Sequence, residues 1–458
     1  MKKIIIFLTL LSVILTSACT AIEEPNGDDQ GYPSGDDQTY PGEEDQGYPS
    51  GDEQVIDSGY AKSSLNRESS PDITPEQTRI LAQDNTNFAL SFYDKIRLEE
   101  GNIIFSPISL SLALSMALAG AETSTEEAML EALRFSLPED EIYPTFNALM
   151  LAIEESQEKP MEEAEGDEFQ LNIANSIWGQ AGYDFKEEFL DILARNYGAG
   201  MYLVDYIGNP ENARQLINEW VEEETQEKIK DLIPQGAINT LTRMVLANAI
   251  YFNASWQYPF NENNTKKAPF TTLDGSQIDV DMMSLSGERL AYTKGDNFQA
   301  VNIPYLSSDF SMTVFVPDQG SFQDVEENLS SEQIANTLND LKLQKVTLKM
   351  PKFDYESTIG ANDPLAALGM SNAFNPELAD FSGITEVEKL FISDVLHKAT
   401  ITVDEEGTEA AAATAIVMRA TSIDPEEPIE LTIDRPFLYF IQHIPTGAIL
   451  FMGRVVQP

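Results

Sequence analysis

"DEEGTEAAAATAIVMRATSIDPEEP", Asp404 to Pro428, is the stretch on which the reading of this chain turns. By propensity Ala410–Ala413, with Thr414 and Ala415 behind them, favour helix. But Gly407 precedes the run, β-branched Ile416 and Val417 follow it, and it is too short to hold a helix alone. An extended segment of small side chains, shaped to enter a narrow place, satisfies both facts. The rest of the chain has to supply that place.

Strand-like alternation surrounds it: "LFISDVLHKATITVDEEG" (390–407) immediately before, "PFLYFIQHI" (436–444) and "AILFMGRVV" (448–456) after. Further upstream lie "LNIANSIWG" (171–179), "RMVLANAIYFNASW" (243–256), "FSMTVFVP" (310–317) and "QKVTLKMPKFDYES" (344–357). Helical patterns come earlier. One begins at Thr74, where Thr, Pro and an early Glu mark a helix start ahead of Ile80, Leu81, Phe88, Phe92 and Ile96. "SPISLSLALSMALAGA" (106–121) is apolar nearly all round, as in a helix inside a core, and Ser124 offers a fresh cap for the next helix. Further helical segments are predicted at 211–229 and 332–341. Helices early and strands late predict one α+β domain over 75–458, built on large, mostly antiparallel sheets.

The two ends differ from this domain. Residues 1–19, "MKKIIIFLTLLSVILTSAC", have two lysines, a short apolar run and a small-residue end, the layout of an export signal rather than of a spanning helix, which needs roughly twenty apolar residues. Cys19 is the only cysteine, so no intramolecular disulfide can form. Its place after Thr-Ser-Ala resembles the lipidation site of prokaryotic lipoproteins, with Leu15 one place further back than usual. Lipid anchoring and simple cleavage with release both stay open. Residues 20–74 read as an acidic, disordered tether in which "GYPSGDDQ" (31–38), "TYPGEEDQ" (39–46) and "GYPSGDEQ" (47–54) repeat. Such units bury no core. A calcium-binding repeat would need a fixed ligand cage that they lack.

With 76 acidic against 28 basic residues the net charge is −48, which excludes a nucleic-acid partner. The inventory for catalysis is thin. There are two histidines, His397 and His443, and no metal-binding, phosphate-loop, dinucleotide or nucleophile-turn motif, so neither a catalytic residue nor a cofactor nor a metal is expected. A Ser-His-Asp triad would have to recruit one of those histidines, and among so many acids a carboxylate pair arises by chance.

Five segments together carry a resemblance: "NIIFSPISLSLALSMALAGAETSTEEAML" (102–130), "VLANAIYFNASWQYPF" (245–260), "LHKATITVDEEGTEAAAATA" (396–415), "DRPFLYFIQH" (434–443) and "ILFMGRVVQP" (449–458). They resemble the serpins, suicide inhibitors of serine and cysteine proteases, in order and over the whole of 75–458. The resemblance implies three mostly antiparallel β-sheets, eight or nine helices and an exposed reactive-centre loop, in a protein that is not an enzyme and works as a monomer. After cleavage the first half of that loop enters the largest sheet as a new strand, a known case of strand addition. The alanines then make sense, because a strand sliding between two others needs small side chains. Thr408, Ala410, Ala412, Thr414 and Ile416 would face inward, with Glu409, Ala411, Ala413 and Ala415 outward.

By the same resemblance Glu405, Gly407, Thr408 and Ala410 to Ala413 form the hinge. Ser106, Ser109, Asn248 and His397 form a polar shutter beneath the sheet, and Trp256 marks the breach where insertion starts. The reactive bond falls between Thr421 and Ser422, which suits an elastase-like or subtilisin-like protease. The alternative, Arg419–Ala420, suits a trypsin-like one. A non-inhibitory serpin acting as a surface binding module is the competing reading, and it predicts bulky, charged or proline residues between 408 and 415. A lipid on Cys19 would place the protein on the outer face of a membrane; cleavage alone would secrete it.

Overall fold

The computed structural model of this chain describes residues 59–158, 169–408 and 426–458. In chain order the first half holds β1 (Tyr60–Ala61), α1 (Pro75–Ile96), β2 (Ile103–Phe105), α2 (Pro107–Leu118), α3 (Thr123–Ala132), α4 (Glu139–Glu158), β3 (Gln170–Gln180), α5 (Glu187–Tyr197), β4 (Met201–Val204), α6 (Pro210–Glu224) and β5 (Met244–Ser255). The second half is richer in strand. It runs β6 (Lys266–Thr271), β7 (Gln277–Lys294), β8 (Phe298–Pro304), β9 (Phe310–Pro317), α7 (Phe322–Asn328), α8 (Ser331–Asp340), β10 (Lys342–Pro351), β11 (Phe353–Gly360), α9 (Asn362–Ala367), β12 (Asp394–Val403), β13 (Gly407–Thr408), β14 (Ile429–Thr432), β15 (Phe437–His443) and β16 (Ala448–Val455).

Local chemistry explains the main helix starts. Thr74 and Gln77 cap α1 reciprocally: the Thr74 hydroxyl accepts from Gln77 N at 3.3 Å, and Gln77 Oε1 accepts from Thr74 N at 2.9 Å. Pro75 fills the first helical position, where no amide donor is needed. Every residue of α2 is buried, as its apolar composition predicts, and the Ser106 hydroxyl caps it by accepting from Ser109 N. The cap expected from Ser124 is not made. Helix α3 begins two residues earlier, at Thr123 with Glu122 in the cap position, and the Thr123 hydroxyl turns away to donate to Asp380.

The strands form two hydrogen-bonded ladders. One is a seven-stranded sheet in the order β1-β4-β3-β5-β13-β12-β11. The nine-stranded ladder runs β14-β10-β7-β8-β9-β15-β16-β2, with β6 also on β7. Strand β7 explains how the expected three sheets become two ladders. It pairs with β10 along one side, while on the other it meets β6 over Gln277–Met282 and β8 over Ala291–Lys294. A small sheet and a large one therefore share a single long strand. The expected strand at 344–357 is two: β10 stops at Pro351, which has no amide to donate, and β11 starts in the other ladder. Most pairings are antiparallel, but β3 with β4, β5 with β12, and β10 with β14 are parallel.

Helix α2 is held between the ladders, touching β3 and β5 on one side and β16 on the other. A second apolar cluster covers the seven-stranded sheet from outside, where Ile217 and Val221 of α6 and Ile229, Leu232 and Ile233 of the following connector pack on Trp178, Val245 and Ala247. Residues 59–74, read from sequence as part of the tether, lie against the folded body. Tyr60 and Ala61 pair with Tyr202 and Met201 on β4, and Arg67 reaches Glu154 at 2.8 Å and Asn147 at 2.7 Å. Arg67, Glu68 and the short strand give these residues fixed partners that composition did not disclose.

The last strand is pinned by a buried charge. Arg454, 4% exposed, donates to Glu326 at 3.0 Å and to the carbonyls of Arg97, Glu99 and Gly101, and the Tyr93 hydroxyl donates to the same carboxylate at 2.5 Å. The pin joins α1, α7 and β16. Replacing Glu326 by Leu would leave the guanidinium buried without its counter-ion, so denaturant unfolding should show a loss of about 3–5 kcal/mol. An unchanged midpoint would mean that the three carbonyls suffice.

Candidate functional site

The site lies where β12 turns back at its upper end. Asp404 builds the turn: its Oδ1 accepts the amides of Glu406 at 2.9 Å and Gly407 at 3.2 Å, and its own amide donates to Gly407 O at 3.0 Å. Gly407 and Thr408 then run as β13 between β5 and β12, antiparallel to both, with Gly407 beside Ser255 and Thr408 beside Ala254 and Val403. Space, not a left-handed backbone, requires the glycine. A Cβ at 407 would stand 2.2 Å from Ala254 O.

Four side chains close round this hinge, those of Tyr305, Trp256, Lys352 and Thr265. The Thr408 hydroxyl, buried, meets the Tyr305 hydroxyl at 2.8 Å. The Tyr305 ring stacks on Trp256 at 4.6 Å, and the indole N–H donates to Asp404 O at 3.0 Å. Glu405 accepts from Lys352 Nζ and from the Thr265 hydroxyl, both at 2.6 Å. Burial alone would raise the Glu405 carboxyl; the ammonium and the hydroxyl outweigh it and hold it below the usual range. The hinge is pinned by an ion pair at its base and a buried hydroxyl pair at its tip.

Lower in the same sheet a polar row crosses three strands. Asn175 on β3 is directly opposite Asn248 on β5, and Asn248 is directly opposite His397 on β12. His397 Nε2 accepts the Ser106 amide at 2.9 Å, so its proton is on Nδ1 and is donated to Asn248 Oδ1. The Asn248 amide donates to Ser109 Oγ at 2.6 Å and to Asn175 Oδ1, which also accepts from Ser109 Oγ at 3.0 Å. Desolvation in this fully buried position pushes His397 down to about 3, so it is a neutral imidazole at physiological pH.

The structure thus brings Ser106, Ser109, Asn248 and His397 into one cluster and sets Trp256, Glu405, Gly407 and Thr408 into another. Sequence reading missed Asn175, Tyr305, Lys352 and Thr265. Asn175 had a signal, a polar residue in a strand at the height of Asn248, visible only once the strands are paired. Ala410 to Ala413, the bonds Thr421–Ser422 and Arg419–Ala420, and Cys19 lie outside the described residues. Among the described residues no group of three or more His, Cys, Asp or Glu could hold a metal ion.

His443 does meet a serine and an aspartate, in an order unlike a triad. The Ser156 hydroxyl donates to Asp309 at 2.8 Å and contacts His443 Nε2 at 2.9 Å, while Nδ1 is on the Thr446 hydroxyl. The carboxylate sits on the serine instead of orienting the imidazole, and Ser156 is buried.

Between the two clusters the sheet forks. Strands β5 and β12 pair directly from Val245–Asp394 up to Ile250–Ala399; above that, β13 holds them apart.

The pH dependence of the two clusters should differ. The unfolded chain protonates His397 below 6.5, whereas the native one does so only near 3, so the stability it contributes is complete above 6.5 and declines as pH falls through that interval. Glu405 acts lower: its contribution is complete above the unfolded value near 4.3 and is lost as pH falls through the depressed native one. Urea midpoints against pH should flatten between 6.5 and 4 in His397→Gln, and below about 4 in Glu405→Gln. A His397→Gln curve parallel to wild type would show that the imidazole titrates freely.

Comparison with known proteins adds three findings. Residues 83–458 match the family model described as serpin (serine protease inhibitor). An uncharacterized serpin-like protein of Thermococcus kodakarensis is 38% identical over 373 residues, 81% of this chain and 84% of the relative, and the leukocyte elastase inhibitor of Sus scrofa is 37% identical over 388 residues, 82% and 99%. The crystal structure of a thermophilic serpin, Tengpin, in its native state superposes with a TM-score of 0.75 at 28% identity, covering 87% of this chain and 98% of that one.

Proposed function

The chain belongs to the serpin family, whose members are in general protease inhibitors and not catalysts, and we propose that it traps a serine or cysteine protease as a covalent acyl-enzyme. The protease nucleophile attacks the carbonyl carbon of Thr421; the bond to Ser422 breaks, and the Ser422 amine leaves with the proton passed on by the protease histidine. Hydrolysis would free the protease. Insertion of the loop has to come first.

The observation that carries this reading is β13. Its two residues already stand in the seven-stranded sheet, paired on both sides, at the mouth of the fork. Thr408 faces inward to Tyr305, so positions 410, 412, 414 and 416 of a continuing strand take the same face. Below the fork β5 and β12 are parallel neighbours, and an antiparallel strand between them replaces one parallel ladder by two antiparallel ones, the more stable pairing per residue. The row Asn248–His397 is where the sheet must part, and its side chains are partnered by Ser106, the cap of α2, and by Ser109 in its first turn. Of the bulky, charged or proline residues that the non-inhibitory reading predicts between 408 and 415, the sequence has Glu409 alone, which alternation from the inward Thr408 would put on the outward face.

An uncharged, β-branched Thr421 favours elastase-like or subtilisin-like targets, in keeping with the name of the pig relative; use of Arg419–Ala420 would favour trypsin-like ones. Residues 1–19 export the chain, and a lipid on Cys19 holds a monomeric inhibitor at the outer face of a membrane on the acidic repeats.

Mixing the protein with elastase and subtilisin should give an SDS-stable adduct and a C-terminal peptide beginning at Ser422; a peptide beginning at Ala420 would move the bond. Thr408→Arg, which would bury an unpaired charge beside Tyr305, should still be cut at that bond but release the protease. Full trapping by that variant, or no adduct from the wild type, would overturn the mechanism in favour of a surface binding module. Membrane recovery should fall in Cys19→Ser; recovery equal to wild type would exclude the lipid.

A further inference from the structure

Charge of one sign runs along β10. Residues 342–352, which are that strand and the residue after it, carry Lys342, Lys345, Lys349 and Lys352 and no acid, on a chain where acids outnumber bases 76 to 28. Two of the four hold glutamates that flank the stretch with the bait bonds. Lys352 pairs with Glu405, ahead of it. Lys345 meets Glu426, behind it, its Nζ donating to Glu426 O at 3.3 Å. The two lysines are seven residues apart, about 23 Å at roughly 3.3 Å per residue.

The contact at Glu426 has a second cation. Arg289 on β7 stands directly opposite Lys345 on β10, a like-charge pair that repels unless an acceptor answers it. Glu426 answers both. Its Oε2 accepts from Arg289 Nη1 at 2.8 Å and from Nη2 at 2.7 Å, while its carbonyl takes Lys345. Beside the pair the ladder slips: Ser286 and Gly287 of β7 stand against Thr347 alone, with Gly287 at φ +92°. A bulge of this kind re-aims the side chains next to it. Beyond Glu426 the chain is stiff, because Glu427 precedes Pro428, which favours extended backbone, and β14 begins at Ile429 beside Val346.

We propose that Arg289 is a positioning residue for the bait: by gripping Glu426 it fixes the stem from which the reactive segment departs, and so sets how fast a protease engages that segment. The inference rests on the inhibitory reading above. A stem held in one direction spares the protease the cost of ordering it at the encounter. The grip acts on the encounter alone. Once the bond to Ser422 breaks, Glu426 stays with the C-terminal part on β14, while the strand that inserts is on the other side of the cut. The race between insertion and hydrolysis is then beyond its reach. Arg289 and Glu426 are about half exposed, 49% and 45%, so the effect is modest and falls with salt.

The test is the second-order rate of inhibition of subtilisin and pancreatic elastase, measured together with the stoichiometry of inhibition. Arg289→Ala should lower the rate roughly two- to fivefold at low salt and leave the stoichiometry unchanged, and the gap should narrow at about 0.5 M salt. Glu426→Gln, which leaves β7 intact, should do the same; if Arg289→Ala melts below wild type, this variant decides alone. Arg289→Lys keeps the charge and should recover most of the rate. Lys294→Ala removes a like charge at the far end of the same strand and should match wild type. An unchanged rate in the deciding variant, or an equal loss in Lys294→Ala, would overturn the proposal. So would a rise in stoichiometry that accounts for the lost rate, since it would place the residue in insertion. No inhibition by the wild type would instead overturn the inhibitory reading, and the role of Arg289 with it.

Discussion

Everything in this molecule depends on two parallel strands that are joined along their lower halves and held apart at the top. Val245–Ile250 and Asp394–Ala399 pair directly, while Gly407 and Thr408 occupy the gap above them. A parallel pair in the middle of a large sheet is the weaker of the two pairings, and under the proposed mechanism it is the one that an entering antiparallel strand would replace. The fork is a local break in the β5–β12 pairing and, under the proposed mechanism, the point of entry.

The polar side chains make sense only against that fork. A row of amides and an imidazole across β3, β5 and β12 would be a poor way to stabilise a closed sheet, since each group is costly to bury without its partners. All of them are paired, and helix α2 supplies several partners from below, through the Ser106 amide and the Ser109 hydroxyl. These partners come from outside the sheet, from the cap and first turn of α2. The frame around the sheet is built elsewhere, by the Arg454–Glu326 pin and by α2 between the ladders.

At the mouth of the fork the pins have a different character. Glu405 with Lys352 and Thr265 fixes the base of the hinge by charge, and Trp256 with Tyr305 fixes its tip by stacking and one hydroxyl contact. The charge pair is partly open to solvent on the lysine side, where screening weakens it. The hydroxyl pair is buried and directional. Together they hold Gly407 and Thr408 in register between β5 and β12.

The α+β class and the buried α2 were legible in the sequence alone, because these depend on periodicity and side-chain size, which are local. It also named Ser106, Ser109, Asn248 and His397 by resemblance. It could not show that Asn175 completes their row, since cross-strand neighbours are far apart in the chain. Gly407 was legible as a hinge, yet its reason is the carbonyl of Ala254, an atom that sequence cannot place beside it. Residues 59–74 looked like tether because their composition is polar. Only the tertiary structure decided that Arg67 finds Glu154 and that Thr408 already stands between two strands, because both are set by contacts across long stretches of chain, which exist only once the sheets have closed.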